Sequence, residues 1–271
     1  MGKRQSRPWI VSDGLCSLVE PLLPEPGPKL VAGRPRVPDR QVLCGILFVL
    51  HTGIQWEYLP QELGFGSGMM CWRRLAAWNE AGLWDQLHVV LLKKLRTAKQ
   101  LHWSRAVIDS LQQGGPPGPK SGPSPVDRAR PGSKHHVLTD GQGIPLAVSL
   151  TGGSRNDVTQ LLPLLDKVPP VAGVVGRPRR RPDMLLADCG YDHDKHRRLL
   201  WRRGIRPAIA ERGQPHGTGL GISRWAVERT ISWLHGFRRL RIRWERRDDI
   251  HEAFLGLATC LITHRHVQRL C

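Results

Sequence analysis

The chain has 271 residues, of which 40% are hydrophobic, and this is enough for one large domain or two smaller ones with a true core. Its net charge of +18, carried mostly by arginine, favours a polyanionic partner, with nucleic acid before a membrane. The six cysteines include no CxxC pair, which argues against a disulfide framework or a zinc ribbon, and the longest apolar run, 42–50, is too short to span a bilayer.

Residues 1–100 are predicted to form an all-helical domain, because 37–96 read as several short helices with apolar residues at helical spacing. The functional interpretation is a helix-turn-helix-like domain that binds DNA. Asp39 and Ser67 stand where helices are expected to begin, and both residue types cap helices well. Two helices joined by a turn and bearing Arg73 and Arg74 would suit DNA binding, although an ordinary helical bundle gives the same pattern. The predicted helices cover residues 9–20, 39–51, 56–63, 69–80 and 83–96.

Residues 101–271 alternate between short strands and helices. Residues 112–130 are crowded with Gly and Pro and are predicted to be a loop, and 134–151 are predicted to be a hairpin. The order strand, strand, strand, helix, strand, helix, strand, helix predicts an α/β, ribonuclease H-like fold. The predicted strands cover 105–110, 134–139, 144–151, 183–188 and 206–210, and the predicted helices 157–168, 193–203, 223–247 and 249–267.

Three carboxylates occupy distinctive places in this half. Asp109 and Asp188 each end a predicted buried strand, and Glu228 lies on the arginine-rich predicted helix. The ends of parallel strands meet at one edge of a sheet, where open α/β sheets build their sites. Converging carboxylates repel each other unless hard divalent cations such as Mg²⁺ neutralise them. Two such ions, about 3.5–4 Å apart, would support an in-line displacement at phosphorus. The alternative is that the two aspartates are only turn residues at strand ends.

Basic residues are dense around the third acid. Arg224, His235 and Arg239 fall on or near the helix face that carries Glu228, and Arg238 follows the same stretch. Arginines in such numbers are suited to hold a DNA backbone without reading its bases, although they could also form a merely solvated surface.

Six stretches carry a more specific signal, and together they span nearly the whole chain. With them the chain resembles DDE transposases of bacterial insertion sequences, in the IS-five family of the wider IS-four group. The stretches are GRPRVPDRQVLCGILFVLHTGIQWEYLP (33–60), CWRRLAAWNEAGLW (71–84), GPSPVDRARPGSKHH (122–136), GIPLAVSLTGGSRNDVTQLLPLL (143–165), LLADCGYDHDKHRRLL (185–200) and RWAVERTISWLHGFRRLRIRWERR (224–247).

The resemblance implies that Asp109, Asp188 and Glu228 are the catalytic, metal-binding triad, with two Mg²⁺ ions for which Mn²⁺ could substitute. It also implies that the N-terminal helices recognise the terminal inverted repeats of the element. The other expected partners are target DNA and a second copy of the chain, as a homodimer in the synaptic complex. The expected location is the bacterial cytoplasm, at the nucleoid and not in a membrane.

Two departures from the family pattern bear on activity. Gly221 stands where the broader group has Tyr, and His235 where it has Lys, whereas Arg224 and Glu228 match. Next to the first acid, 111–117 is shortened and lacks the usual basic residues. An active transposase and a catalytically decayed, DNA-binding derivative are therefore both open from the sequence.

Overall fold

The computed structural model describes residues 7–25, 35–125, 127–213 and 221–270. In the described ranges four helices come first, four strands follow, and the remaining order is helix, strand, helix, strand, helix, helix. The helices are α1 (Asp13–Val19), α2 (Asp39–Thr52), α3 (Gly68–Glu80), α4 (Leu83–Thr97), α5 (Leu161–Lys167), α6 (Asp194–Arg202), α7 (Gly221–Gly236) and α8 (Asp248–Gln268). The strands are β1 (Ala106–Gly114), β2 (Gly122–Pro123), β3 (Pro131–Asp140), β4 (Pro145–Gly152), β5 (Met184–Ala187) and β6 (Arg206–Ile209).

The strands form a single sheet with the order β4-β3-β1-β5-β6, and the short β2 pairs with the start of β3. Strands β1, β3 and β4 are antiparallel neighbours, whereas β5 and β6 run parallel to β1. Helix α5 connects β4 to β5, and α6 connects β5 to β6. This order confirms the predicted ribonuclease H-like class, and residues 131–152 form the predicted hairpin.

The first acid-bearing strand is longer than the sequence predicted. All nine residues of β1 pair with β3, so 112–114 belong to a strand and the prediction of a loop there was wrong. Asp109 is the fourth residue of β1 and does not end it. However, β5 pairs only with Ala106 and Val107, so Asp109 lies just beyond the parallel part of the strand.

Two features of the predicted helices need correction. Helix α7 ends at Gly236 and a 3-10 turn covers Arg238–Leu240, so Arg239 does not share the helix face of Glu228. Asp39 is the first residue of α2 and makes no capping bond, because its carboxylate is taken by Arg36 and Arg74. Ser67 caps α3 as predicted, and its Oγ accepts the Met70 N–H at 3.2 Å.

The N-terminal helices share a hydrophobic core with the C-terminal half. One buried cluster runs from α1–α4 through α7 to α8, and a second fills the other side of the sheet. The Trp56 ring stacks on Phe254 of α8 at 5.5 Å, and Cys260 Sγ of the same helix lies 3.2 Å from the carbonyl oxygen of Trp84. The division at residue 100 stays a prediction, and the two halves it separates are packed together along α8. In the described ranges, no helix has the length and hydropathy needed to cross a membrane.

Candidate active site

The two strand-borne acids lie at the same edge of the sheet. Asp109 is mostly buried, and its Oδ1 accepts the Ser110 N–H at 2.8 Å. Asp188 directly follows β5, and its Oδ1 accepts the Gly190 N–H at 2.9 Å. Burial raises the pKa of Asp109, the Ser110 N–H and Arg224 oppose that rise, and the charge of Asp188 adds to it. The fold therefore brings these two acids close enough to interact.

Helix α7 adds an arginine and a third acid to this edge. Arg224 Nη2 lies 3.5 Å from Asp109 Oδ2, and Arg224 Nε lies 3.7 Å from Glu228 Oε1. Both distances exceed those of a good charge-assisted hydrogen bond, and Glu228 is more than half exposed. Thr230 anchors the helix to the hairpin through a 2.5 Å bond from its Oγ1 to the Gly143 carbonyl. Glu228 is thus connected to Asp109 through one loosely bound guanidinium.

The donor chemistry of this edge suits a hard divalent cation. Asp109, Asp188 and Glu228 offer oxygen atoms, the preferred ligands of Mg²⁺. Within the described residues, however, no three His, Cys, Asp or Glu side chains are close enough together to hold an ion. Arg224 instead supplies the positive charge between Asp109 and Glu228. The residues fit a metal by chemistry, and Glu228 would have to approach the aspartates to complete the site.

The predicted DNA contacts differ in how accessible they are. Arg73 and Arg238 are exposed. The Arg74 guanidinium is paired with Asp39 and is mostly buried. His235 is half-buried, and burial followed by the charge of Arg241 lowers its pKa. Arg73 and Arg238 are therefore the predicted contacts best placed to meet a phosphate.

The structure corrects the predicted role of Arg239. Only 4% of this residue is exposed. Its Nε and Nη2 donate to Glu245 Oε1 at 3.1 and 2.5 Å, and its Nη1 donates to the Ile54 carbonyl at 2.8 Å. A guanidinium with these bonds is not free to contact DNA. Glu245 is the second carboxylate of the same arginine-rich stretch, and it was the signal in the sequence from which this pair could have been predicted.

Tyr191 is a second residue near the acids that was not predicted from the sequence. It lies in the short 3-10 turn after Asp188 and only 1% of it is exposed. Burial raises its pKa strongly, and the charges of Asp157, Asp109 and Asp188 add to the rise. A neutral phenol therefore lies beside the acids. Its position three residues after Asp188 was the only hint in the sequence.

Two families of known proteins match this chain. Residues 95–263 match the family described as "Transposase DDE domain", and residues 11–88 match "Putative transposase of IS4/5 family". The chain belongs to the DDE transposase family. It is accordingly an enzyme of a class that acts on DNA, as the sequence predicted.

Relatives of this DDE transposase occur in Burkholderia cepacia. The "Putative transposase for insertion sequence element IS402" is 59% identical over 165 residues, which are 61% of this chain and 77% of that protein. The "Insertion element IS402 uncharacterized 16.2 kDa protein" is 53% identical over 103 residues, which are 37% of this chain and 70% of that protein. The crystal structure of the Mos1 strand transfer complex aligns with 90% of this chain and with 79% of the Mos1 chain, at 13% identity and a TM-score of 0.35.

Proposed function

We propose that this DDE transposase cuts and joins DNA at the ends of its own insertion sequence, with Asp109, Asp188 and Glu228 as its catalytic carboxylates. The observation that supports this proposal is the meeting of Asp109 and Asp188 at one sheet edge, with Arg224 connecting Asp109 to Glu228. The reaction is hydrolysis of a phosphodiester at the element end, followed by attack of the released 3′ hydroxyl on target DNA.

The side chains at this edge have separate tasks in the proposal. A pair of Mg²⁺ ions, or Mn²⁺ in their place, would supply Lewis acidity and neutralise the developing phosphate charge. Asp109 is fixed by the Ser110 N–H and Asp188 by the Gly190 N–H, so both carboxylates are oriented before any ligand arrives. Glu228 is exposed on α7 and would complete the ligand set. Arg224 balances the acids in the free protein and becomes available to a phosphate once a metal replaces its charge.

The partners of this transposase would be the terminal inverted repeats and the target DNA, with a homodimer pairing the two ends in the bacterial nucleoid. The exposed Arg73 on α3 and Arg238 after α7 would contact the DNA backbone. The alternative is a decayed copy that binds without cutting, which the shortened 111–117 segment suggested. Strand β1 nevertheless pairs regularly through Gly114, and the Gly115 N–H bonds the Pro131 carbonyl at 3.1 Å. Regular pairing beyond Asp109 favours the active enzyme.

The test is cleavage of labelled DNA that carries the terminal repeats of the element, with Mg²⁺ and with EDTA. Asp188→Asn should abolish Mg²⁺-dependent cutting and retain binding. Asp183→Asn is the matched control, because Asp183 lies just before the other end of β5 and is exposed. Full cutting by Asp188→Asn would refute the triad. Binding without cutting by the wild type would identify a decayed copy, and cutting without strand transfer would identify a nuclease.

A further inference from the structure

A second group of basic residues lies away from the acids. Six arginines gather around the starts of β5 and β6 and the loop that precedes β5, and we call them the basal arginine surface. They are Arg177, Arg179, Arg180, Arg181, Arg203 and Arg206. Three of them are connected by contacts. Arg181 Nη1 donates to the Arg203 carbonyl at 3.3 Å. The Arg203 guanidinium pairs with the Asp166 carboxylate, and the backbone carbonyl of Asp166 accepts a hydrogen bond from Arg180.

This surface lies at the edge of the sheet opposite the acids. Strands β5 and β6 are parallel, and Arg206 pairs with Met184, the first residue of β5. Asp188 follows the last residue of the same strand. At roughly 3.3 Å per residue, the strand separates Arg206 from Asp188 by about 13 Å. A phosphate bound by the basal arginine surface is therefore not the phosphate that reacts at the acids.

Most of the charge on this surface is fixed in place but not neutralised. Carboxylates pair with only two of the arginines in the described chain, Arg179 with Asp183 and Arg203 with Asp166. Arg180 donates at 3.2 Å to the carbonyls of Asp166 and Val168, at the end of α5. Such bonds set the guanidinium charge against the partial negative charge of a helix C-terminus, about half an elementary charge, and leave about half of the guanidinium charge in place.

Arg181 is held by its bond to the Arg203 carbonyl, and the other two arginines, Arg177 and Arg206, have no structural task that competes with binding. Arg177 is exposed, and its side chain makes no hydrogen bond or ion pair within the part of the chain that the structure describes. Its backbone carbonyl accepts from Arg96 Nη2 at 3.0 Å, so the loop itself is anchored to α4. Arg206 is also exposed, and its Nη2 contacts only the weak acceptor Sδ of Met184 at 3.4 Å. Both cations are presented from fixed backbone and are free to bind.

We propose that the basal arginine surface binds the phosphate backbone of duplex DNA, without reading its bases, at phosphates other than the one that reacts at the acids. Rigidly placed guanidinium groups match phosphate oxygens in charge and geometry. The inference rests on the proposed function, because it assigns this surface to DNA that the same transposase handles away from its catalytic edge.

The test compares two double variants of the full chain. Arg177→Gln/Arg206→Gln removes the two free charges, whereas Arg177→Lys/Arg206→Lys keeps them. Binding of a random-sequence duplex without terminal repeats is measured by fluorescence anisotropy over a series of KCl concentrations. Each lost phosphate contact lowers the slope of log K against log salt by about 0.9, so the Gln variant should be shallower than the wild type by about 2. The Lys variant should keep the wild-type slope.

Cleavage of terminal-repeat DNA is measured in parallel, and all variants should retain it at low salt. A wild-type slope in the Gln variant, with cleavage intact, would overturn this inference alone. An equal loss in the Gln and Lys variants would show a role in protein geometry, and would also overturn it. A wild type that neither binds the duplex nor cuts the element ends would defeat both the inference and the proposed function.

Discussion

Charged side chains are bonded differently in the interior of this transposase and at its proposed catalytic edge, the sheet edge that carries Asp109 and Asp188 together with Arg224 and Glu228 of α7. An interior basic cluster consists of Arg239, Arg243, His135 and His251. Arg243 is fully buried, and its donors reach Ser133 Oγ at 2.8 Å and the carbonyl oxygens of Glu245 and Arg246 at 2.9 and 3.1 Å. The Nε2 atoms of the two histidines lie 2.7 Å apart.

At the catalytic edge the contacts are longer and the groups are partly exposed. Arg224 lies 3.5 Å from Asp109 and 3.7 Å from Glu228, and no short hydrogen bond joins these described side chains. Buried charges need complete bonding because their desolvation is costly, whereas a site that must accept a ligand needs charges that can exchange partners. Bond lengths and burial thus separate the structural arginines of this chain from Arg224, which is proposed to act at the site.

The largest expected effect is a loss of stability when Arg239, in the interior, is replaced. Arg239→Met leaves Glu245, whose side chain is only 11% exposed, without its cation. Loss of one partner from a buried ion pair costs about 3–5 kcal/mol, so the free energy of unfolding in urea should fall by that amount. Arg238→Met, at the exposed neighbour, should change it by less than about 0.5 kcal/mol. Equal effects of the two substitutions would contradict the assignment of Arg239 to the interior.

A smaller loss of stability is expected at low pH, because His251 is buried in its neutral form. Burial, with the charges of Arg243 and Arg239, lowers the pKa of His251 from 6.5 to about 3. The unfolded chain therefore binds the proton first, so stability is present above pH 6.5 and is lost as the pH falls towards 3. The loss from this group between pH 6.5 and 5 is about 2 kcal/mol. His251→Leu should flatten the stability profile in this window, measured by urea unfolding at each pH. An unchanged acid slope would rule out His251 as a source of the loss.

The smallest expected effect is on metal affinity at the catalytic edge. Arg224→Gln removes the cation beside Asp109, so Mn²⁺ should bind the DNA-free protein about tenfold more tightly, after solvent screening of the charge. Isothermal calorimetry measures this directly. Arg197→Gln is the control, since Arg197 pairs with Asp192 at 2.8 Å outside the three acids. Unchanged or weaker Mn²⁺ binding in Arg224→Gln would show that Arg224 does not compete with a metal.

Local chemistry made much of the fold predictable. The Ser67 cap and the hairpin that turns at 140–143 rest on residue types with strong local preferences, and both are found. Their signals lie within a few residues of the structure they produce. The end of β1 was missed because Gln112–Gly114 has little strand preference, and pairing with distant β3 determines its conformation.

The candidate site was predictable only where its residues depend on local sequence signals. The positions of Asp109 and Asp188 on neighbouring strands follow from the strand order. The burial of Arg239 does not, because its partners include the carbonyls of Gly53 and Ile54, which are nearly two hundred residues away in sequence. Arginine density could not distinguish Arg239 from the exposed Arg238. Only tertiary packing separates the two.

The stacking of Trp56 on Phe254 has a consequence for how such elements diversify. Residues from both halves of the chain form this apolar seam, so the packing of each half depends on the side chains of the other. Recombination that joins the N-terminal helices of one element to the C-terminal half of another would mismatch the seam. We expect an exchange between relatives to keep this packing only where both sides of the seam are exchanged together.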